Sequence, residues 1–196
     1  MTRVIVAAIR AREPFVMYLQ KHIPDLEVVW DQKRDSMDTF LRSTALAGDD
    51  PAIHLEDDIC LTKDWREKIE AEIALRPNDV INFFSRSKYD EGLGSHYKAG
   101  AKFLYNVCYY TPAGFSRQII EHYPGWQERF PTYLNYYDTL MADLMIQQKR
   151  NYWQVVPSLV NHAQIKSQIG KRSSRRQSKT FIDPELEGYP DESRFL

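Results

Sequence analysis

The chain has 196 residues, of which 43% are hydrophobic and 27% are charged, a composition that excludes a disordered chain and allows one domain with a buried core. Its formal net charge of −1 excludes a protein that wraps a polyanion with its whole surface. The longest apolar run, residues 4–9, is too short to cross a bilayer, and the N-terminus lacks a signal-peptide pattern. We therefore expect a cytoplasmic protein without a membrane span.

Apolar periodicity predicts alternating strands and helices along the first half of the chain. Strands are expected where short β-rich runs end in turn residues, at 3–9, 26–30 and 52–55. Helices are expected where apolar residues recur at helical spacing, at 14–24, 35–47 and 63–75, the last with Thr62 as its N-cap. This alternation is typical of an α/β domain with a parallel sheet.

The second half contains longer stretches without helices, which favours a mixed sheet there. Strands are predicted at 80–84, 103–110 and 152–156, helices at 113–123 and 137–150, and a flexible loop at 88–102. The fold expected is a single α/β domain over residues 1–182, with a mixed, mainly parallel central sheet flanked by helices. Residues 183–196 form an acidic tail that we expect to be irregular, and Cys60 and Cys108 are expected to be buried free thiols.

Three consecutive carboxylates, Glu56, Asp57 and Asp58, follow the strand predicted at 52–55, and apolar residues resume directly after them. Adjacent carboxylates repel one another, and burying them is costly unless a counter-charge is present. Mg²⁺ and Mn²⁺ prefer oxygen ligands of this kind and are often shared with substrate phosphates. Because open α/β sheets bind ligands at the carboxyl ends of their strands, this cluster predicts a metal site there.

The run Leu55-Glu56-Asp57-Asp58-Ile59 resembles the Asp-x-Asp motif of GT-A (Rossmann-like) glycosyltransferases, in the "LEDD" form of small bacterial and viral enzymes. These enzymes transfer a sugar from a nucleotide-sugar with the help of Mn²⁺ or Mg²⁺. The resemblance implies that Asp58 is a metal ligand, that Asp57 supports it, and that Glu56 faces the ribose of the donor, with a UDP-sugar as the expected donor.

Further segments follow the order of that family. The resemblance implies that Arg10, after the first strand, and Asp31, at the end of the second, contact the nucleoside of the donor. It implies that Arg42, on the helix before the acidic cluster, also reaches the donor. Outside the resemblance, each of these residues has an ordinary interpretation as a loop arginine, a strand-terminal aspartate or a solvated helix arginine.

Asp138 opens a predicted helix in a sequence that resembles the acidic motif carrying the catalytic base of inverting GT-A enzymes. Sugar transfer with inversion needs a carboxylate that takes the proton of the attacking hydroxyl, and such a base contributes about 10²–10⁴-fold to the rate. Asp138 could instead only stabilise the start of the helix. Asp143 is the second candidate for the base.

The segment Val156-Pro157-Ser158-Leu159-Val160-Asn161-His162, followed by Ser167-Gln168-Ile169-Gly170, resembles the end of cytoplasmic glycosyltransferases, including enzymes that modify lipopolysaccharide. The resemblance implies that His162 completes the metal shell and that the basic loop after it covers the diphosphate. Residues 163–182 contain no acid and six cations, Lys166, Lys171, Arg172, Arg175, Arg176 and Lys179. Of these, Lys171 and Arg172 are the expected diphosphate contacts.

The sequence therefore predicts a metal-dependent, inverting glycosyltransferase whose acceptor is a hydroxymethylated base of phage DNA or a cell-envelope glycan. One alternative is a non-catalytic nucleic-acid-binding module, which would use the basic segment together with a set of stacking tyrosines, Tyr109, Tyr110, Tyr136 and Tyr137. The other alternative is a metal-dependent nucleotidyltransferase, although no glycine-rich phosphate loop of the Walker type is present.

Overall fold

A computed structural model of the chain describes residues 2–104, 106–133, 136–165 and 177–195. Nine strands lie within these ranges: β1 (Arg3–Ala8), β2 (Leu26–Trp30), β3 (Ala52–Glu56), β4 (Ile59–Leu61), β5 (Ile81–Asn82), β6 (His96–Ala99), β7 (Cys108–Thr111), β8 (Asn151–Gln154) and β9 (Val160–His162). The α-helices are α1 (Glu13–His22), α2 (Ser36–Ala47), α3 (Trp65–Leu75), α4 (Phe115–Arg129) and α5 (Tyr137–Gln147). Short 3-10 turns span Arg10–Arg12, Lys88–Asp90, Gly100–Lys102 and Glu192–Phe195.

The central sheet has seven strands in the order β2-β1-β3-β7-β5-β8-β6. The pairs β1–β2, β1–β3 and β5–β8 are parallel, whereas β7 and β6 run antiparallel to their neighbours. Five strands therefore point the same way, and the predicted α/β fold with a mixed, mainly parallel sheet flanked by helices is confirmed. A second sheet contains β4 and β9, which pair antiparallel.

The position of β1 between β2 and β3 determines where a ligand can bind. The chain passes from β1 outward to β2 and then returns through α2 to β3 on the other side of β1. The connections that leave β1 and β3 therefore diverge and open a crevice at the carboxyl ends of these strands. Val4, Ile5 and Val6 of β1 are fully buried, as expected for a strand covered on both faces.

Three strands, β4, β6 and β9, lie outside the predicted strand ranges. The predicted loop at 88–102 contains β6, which pairs with β8 at the edge of the sheet. Its alternation of half-buried and exposed residues reflects its edge position, so it lacks the apolar run that marks a buried strand. β4 and β9 have three residues each, too few to produce a pattern, although together they form the second sheet.

Other element boundaries also differ from the prediction. The strand predicted at 103–110 begins only at Cys108, and Phe103, which is buried in the core, directly follows the 3-10 turn Gly100–Lys102. Helix α4 continues past Pro124 to Arg129, since the buried ring of Trp126 anchors its last turns. Thr62 does not cap α3, because its hydroxyl donates to carbonyl oxygens of the C-terminal segment.

The residues after 182 pack against the domain. The Tyr18 hydroxyl donates to the Glu185 carbonyl (2.8 Å) and accepts from the Leu61 amide (2.9 Å). The ring of Tyr189 contacts the edges of Phe15 and Tyr18 at centroid distances of 5.7 and 5.1 Å. Apart from the 3-10 turn at its end, this segment is irregular in its backbone, and it is held by specific contacts to α1 and β4.

The character of the helices and the state of the two cysteines bear on two expectations from the sequence. Within the described ranges, none of the helices has both the length and the apolar character needed to span a membrane. Cys60 and Cys108 are buried free thiols, as predicted. Burial raises the pKa of the Cys60 thiol to about 11, so the thiolate is disfavoured at neutral pH.

His54 on β3 is a buried imidazole that the fold keeps neutral. Its Nε2 lies 3.2 Å from the Thr111 hydroxyl, its ring stacks on Tyr109, and burial lowers its pKa to about 3. The unfolded chain, in which a histidine has its ordinary pKa of 6.5, takes up a proton first as the pH falls. His54 therefore makes the protein lose stability from about pH 6.5 downward.

We expect His54→Gln to reduce this acid sensitivity, because glutamine has no proton to take up. The loss of unfolding free energy between about pH 7 and pH 5 should be smaller in the variant by about 2 kcal/mol. Urea unfolding of both proteins at the two pH values measures the difference, and the comparison at pH 7 subtracts any pH-independent packing cost. Identical pH dependence in the two proteins would contradict the assignment of a neutral buried imidazole.

Candidate metal centre

The acidic cluster lies at the crevice between β1 and β3. Glu56 ends β3, and Asp57 and Asp58 form the connection to β4. The register of the second sheet pairs Ile59 with His162, and the Ala163 amide donates to the Asp58 carbonyl at 2.8 Å. The β4–β9 pair therefore brings His162, more than 100 positions away in the sequence, beside the three acids.

Glu56, Asp58 and His162 each place one potential ligand atom in a common cluster, with all three atoms within 4.8 Å of one another. Nε2 of His162 lies 3.4 Å from Glu56 Oε2 and 3.4 Å from Asp58 Oδ2. Nδ1 of the same ring is 2.8 Å from the Ala163 carbonyl, to which it can donate its hydrogen. That hydrogen bond directs Nε2 toward the carboxylates, which is the usual arrangement of a metal-binding histidine.

Asp58 is the residue of this cluster whose surroundings most favour a bound cation. Its side chain is 0% exposed, and among the described residues neither carboxylate oxygen accepts a hydrogen bond. A buried carboxylate without hydrogen bonds costs several kcal/mol. The oxygen and nitrogen ligands present suit Mn²⁺ or Mg²⁺. The residues therefore fit a divalent cation held by Glu56, Asp58 and His162.

The pKa shifts of the site reflect the closeness of its carboxylates. Burial alone would lower the pKa of His162, but the carboxylates of Asp58 and Glu56 outweigh it and raise the pKa to about 9. Burial and the neighbouring Asp58 raise the pKa of Asp57 well above its usual range. Nη1 of Arg12 lies 2.9 Å from a carboxylate oxygen of each aspartate and supplies positive charge to both.

Asp57 attaches the acidic loop to the segment after β1. Its Oδ2 accepts from the Ile9 amide at 2.8 Å, and its Oδ1 accepts from Nη1 of Arg12 at 2.9 Å. Both oxygens are therefore used by the β1–α1 connection. This agrees with a supporting role for Asp57 beside the ligand Asp58.

Glu56 occupies a different position from the one implied by the family resemblance. The resemblance places it against the donor ribose, whereas here its Oε2 belongs to the candidate ligand cluster. Its Oε1 accepts a short hydrogen bond from the hydroxyl of Tyr137, the first residue of α5. The Tyr137 ring stacks on Phe40 at a centroid distance of 4.8 Å, which fixes the direction of that hydroxyl.

The three residues expected to contact the donor, Arg10, Asp31 and Arg42, lie around Trp30 at the carboxyl end of β2. The Arg10 guanidinium lies 4.0 Å from the centre of the Trp30 ring, and Arg42 Nη2 donates to the Trp30 carbonyl at 3.0 Å. Asp31 Oδ1 accepts from the Lys33 amide at 2.9 Å. Trp30 therefore marks this side of the crevice, although its place in an apolar strand gave no functional signal.

The two candidate bases on α5 have different surroundings. Asp138 directly follows Tyr137, the tyrosine bonded to Glu56, and its Oδ1 accepts from the Thr139 amide at 2.9 Å. Asp143 faces α4, where its Oδ2 lies 2.6 Å from His122 Nε2 and 2.7 Å from Arg129 Nη2. The ion pairs with α4 give Asp143 a structural function, whereas Asp138 lies next to a residue of the metal centre.

The predicted diphosphate contacts Lys171 and Arg172 lie outside the described residues, as does most of the basic segment. Lys179, at its end, is exposed. The sequence did not single out Arg12, which contacts two of the acids. In Arg10-Ala11-Arg12 no local pattern separates the arginine that points into the crevice from the one at its edge.

The first test concerns Asp58. In the wild-type protein, Mn²⁺ at 100 times its Kd should stabilise the fold by about 2.7 kcal/mol, which raises Tm by about 5–10 °C for a domain of this size. Asp58→Asn should remain folded, because it removes a buried charge, and should lose this shift. Asp50→Asn, in the exposed turn before β3, is the matched control and should keep it. A full shift in Asp58→Asn would rule out Asp58 as a ligand.

The second test concerns the hydrogen bond to Glu56. Tyr137→Phe keeps the ring stacked on Phe40 and removes the hydroxyl that orients Glu56. Loss of a residue that orients a metal ligand typically weakens binding about 10–100-fold, so we expect the Mn²⁺ Kd to rise at least about tenfold, measured by calorimetry. Tyr136→Phe, at a side chain that is 57% exposed, should bind like the wild type. Equal Mn²⁺ affinities of the wild type, Tyr137→Phe and Tyr136→Phe would show that the Tyr137 hydroxyl does not contribute to metal binding.

Comparisons with known proteins give no independent assignment. No protein-family model matches the chain, and comparison with curated proteins also finds no match. A functional assignment therefore depends on the geometry and chemistry of the metal centre.

Proposed function

We propose that the protein is a metal-dependent glycosyltransferase of the GT-A type that moves a sugar from a nucleoside-diphosphate sugar to an acceptor hydroxyl with inversion. The observation that carries the proposal is the cluster of Glu56, Asp58 and His162 at the crevice beside β1. This crevice is where sheets of this topology bind nucleotides, and the cluster contains two of the three "LEDD" acids, Glu56 and Asp58.

The residues of the cluster suit the departure of a nucleoside diphosphate. A cation bound by Glu56, Asp58 and His162 would supply positive charge to the leaving diphosphate. Tyr137 keeps Glu56 oriented, and Asp57 holds the acidic loop against the segment after β1. These contacts preorganise the ligands, so little rearrangement is needed when the donor binds.

The donor nucleoside is assigned to the side of the crevice formed by β1 and β2. Trp30 offers an aromatic face on which a base can stack, and the Arg10 guanidinium now covers that ring. Arg42 is held by Asp38 and by the Trp30 carbonyl, so its charge is fixed at the same edge. We propose a UDP-sugar as the donor, with its diphosphate directed toward the acids.

The acceptor is assigned to the side of the crevice where α5 begins. Asp138 follows Tyr137 directly and is proposed as the base that removes the proton of the attacking hydroxyl. Tyr133 and Tyr136 are exposed near the start of α5, with their rings 5.8 Å apart, and provide apolar faces for an acceptor. A hydroxymethylated base in DNA and a cell-envelope glycan both offer a hydroxyl next to a flat or ring-shaped group.

The structure weakens the alternative of a nucleic-acid-binding module without catalysis. Tyr109 and Tyr110, two of the four tyrosines expected to stack on bases, are buried in β7. A module of this kind also gives no reason for a fully buried carboxylate without hydrogen bonds. A nucleotidyltransferase would use the same metal centre and differs in its product, because it releases pyrophosphate.

The experiment that tests the proposal is a screen of nucleotide-sugars for hydrolysis with Mn²⁺, with and without hydroxymethylated DNA or isolated envelope glycans. Release of a nucleoside diphosphate that is lost in Asp58→Asn and kept in Asp50→Asn supports a glycosyltransferase. Release of pyrophosphate from nucleoside triphosphates under the same conditions, with no nucleotide-sugar turnover, would replace it with a nucleotidyltransferase.

Asp138→Asn tests the base. The variant should bind the donor with nearly unchanged affinity and lose about 10²-fold or more in turnover, because the amide cannot accept the proton. Asp143→Asn, on the same helix but paired with α4, should retain turnover. A larger loss in Asp143→Asn than in Asp138→Asn would transfer the assignment, and a product with the donor's anomeric configuration would remove the need for a base.

A further inference from the structure

Arg12 lies at the end of the 3-10 turn after β1 and directly precedes α1. Its Nη1 is 2.9 Å from Asp57 Oδ1 and 2.9 Å from Asp58 Oδ2. The side chain is only 15% exposed. Such a guanidinium supplies positive charge to two buried carboxylates with a single nitrogen.

The Asp58 carboxylate is shared between this arginine and the candidate metal site. Asp58 Oδ2, at 2.9 Å from Arg12 Nη1, is also 3.4 Å from His162 Nε2, and Asp58 belongs to the ligand cluster. The Arg12 contact lacks the alignment of a hydrogen bond, because among the described residues Asp58 Oδ2 accepts none. Arg12 Nε is likewise buried without an acceptor in the described part of the chain. Arg12 and Asp58 therefore lie in contact without a well-aligned hydrogen bond between them.

We propose that Arg12 is an internal counter-ion of the metal centre that competes with the divalent cation for Asp58. This inference rests on the proposed function, since it concerns the same site. In the metal-free protein, the guanidinium stabilises the adjacent charges of Asp57 and Asp58. A cation that binds Glu56, Asp58 and His162 takes over the Asp58 carboxylate and repels the guanidinium, so Arg12 weakens metal binding to the free protein.

The displaced guanidinium has a defined place to act. Its contact with Asp57 Oδ1 persists, because Asp57 is not a ligand and is held by the Ile9 amide. Arg12 is then a cation at the edge of the metal centre, positioned for a phosphate oxygen of a diphosphate bound there, the anion that guanidinium groups bind well. Metal binding therefore makes Arg12 available to the diphosphate and strengthens its binding. By linkage, the diphosphate strengthens metal binding by the same factor.

The competition is tested by the affinity for Mn²⁺ alone, measured by calorimetry or by the electron paramagnetic resonance signal of free Mn²⁺. Arg12→Gln should bind Mn²⁺ more tightly than the wild type by about tenfold, the order expected when a nearby like charge is removed. Arg12→Lys keeps the charge and should stay near the wild-type affinity. A merely structural arginine would give weaker binding in both variants.

Arg66→Gln is the matched control. Arg66 is 19% exposed and also bridges two carboxylates, Asp25 and Glu70, on a different side of the domain. Its loss should lower stability and leave the Mn²⁺ affinity unchanged. If Arg12→Gln does not fold alone, the comparison is made between Asp57→Asn and Asp57→Asn with Arg12→Gln, which removes one buried cation and one buried anion together.

The outcomes separate this inference from the proposed function. Equal or weaker Mn²⁺ binding by Arg12→Gln, in a protein whose wild type binds Mn²⁺, would overturn the competition and leave a glycosyltransferase possible. Tighter binding by Arg12→Gln without turnover of any nucleotide-sugar would support the competition and remove the proposed function. A wild-type protein that does not bind Mn²⁺ would overturn both.

Discussion

The burial of the Asp58 carboxylate is the constraint on which the rest of the site depends. A carboxylate with 0% exposure is tolerated only when positive charge surrounds it. The surrounding groups come from several elements: Arg12 from the turn after β1, and His162 from β9. The Asp57 contacts with Ile9 and Arg12 then hold the acidic loop against that turn. The segments at the carboxyl ends of β1 and β3 therefore meet at the Asp58 carboxylate.

The three neighbouring acids of the site make different contacts. Asp57 accepts hydrogen bonds from the Ile9 amide and from Arg12, and Glu56 accepts one from Tyr137. Among the described residues, neither oxygen of Asp58 accepts a hydrogen bond. Three carboxylates in a row therefore have three environments, because Glu56 ends β3 while Asp57 and Asp58 lie in the connection to β4.

Much of the fold follows from local patterns in the sequence, and the exceptions have identifiable causes. The apolar runs that form β1, β2 and β3 and the periodic helices α1 and α2 were predicted close to their observed bounds, because burial on both faces or on one stripe leaves a clear pattern. β6 was missed because an edge strand is half exposed, and β4 and β9 were missed because three residues are too few to show a period. The acids and His162 were found from chain position and resemblance. Arg12 was not, because only the three-dimensional path of the turn after β1 brings it to Asp57 and Asp58.

The pairing of β4 with β9 links the metal centre to the order in which the chain is made and folded. A ribosome-bound chain that ends before Val160 contains all three acids and lacks both the strand that covers β4 and the imidazole beside Asp58. Such a chain has carboxylates with oxygen ligands only, and its acidic loop has lost the partner that encloses it. The complete site therefore depends on a contact of long sequence separation, and contacts of this kind slow folding. A cation bound by Glu56, Asp58 and His162 would stabilise the finished domain and not its precursors.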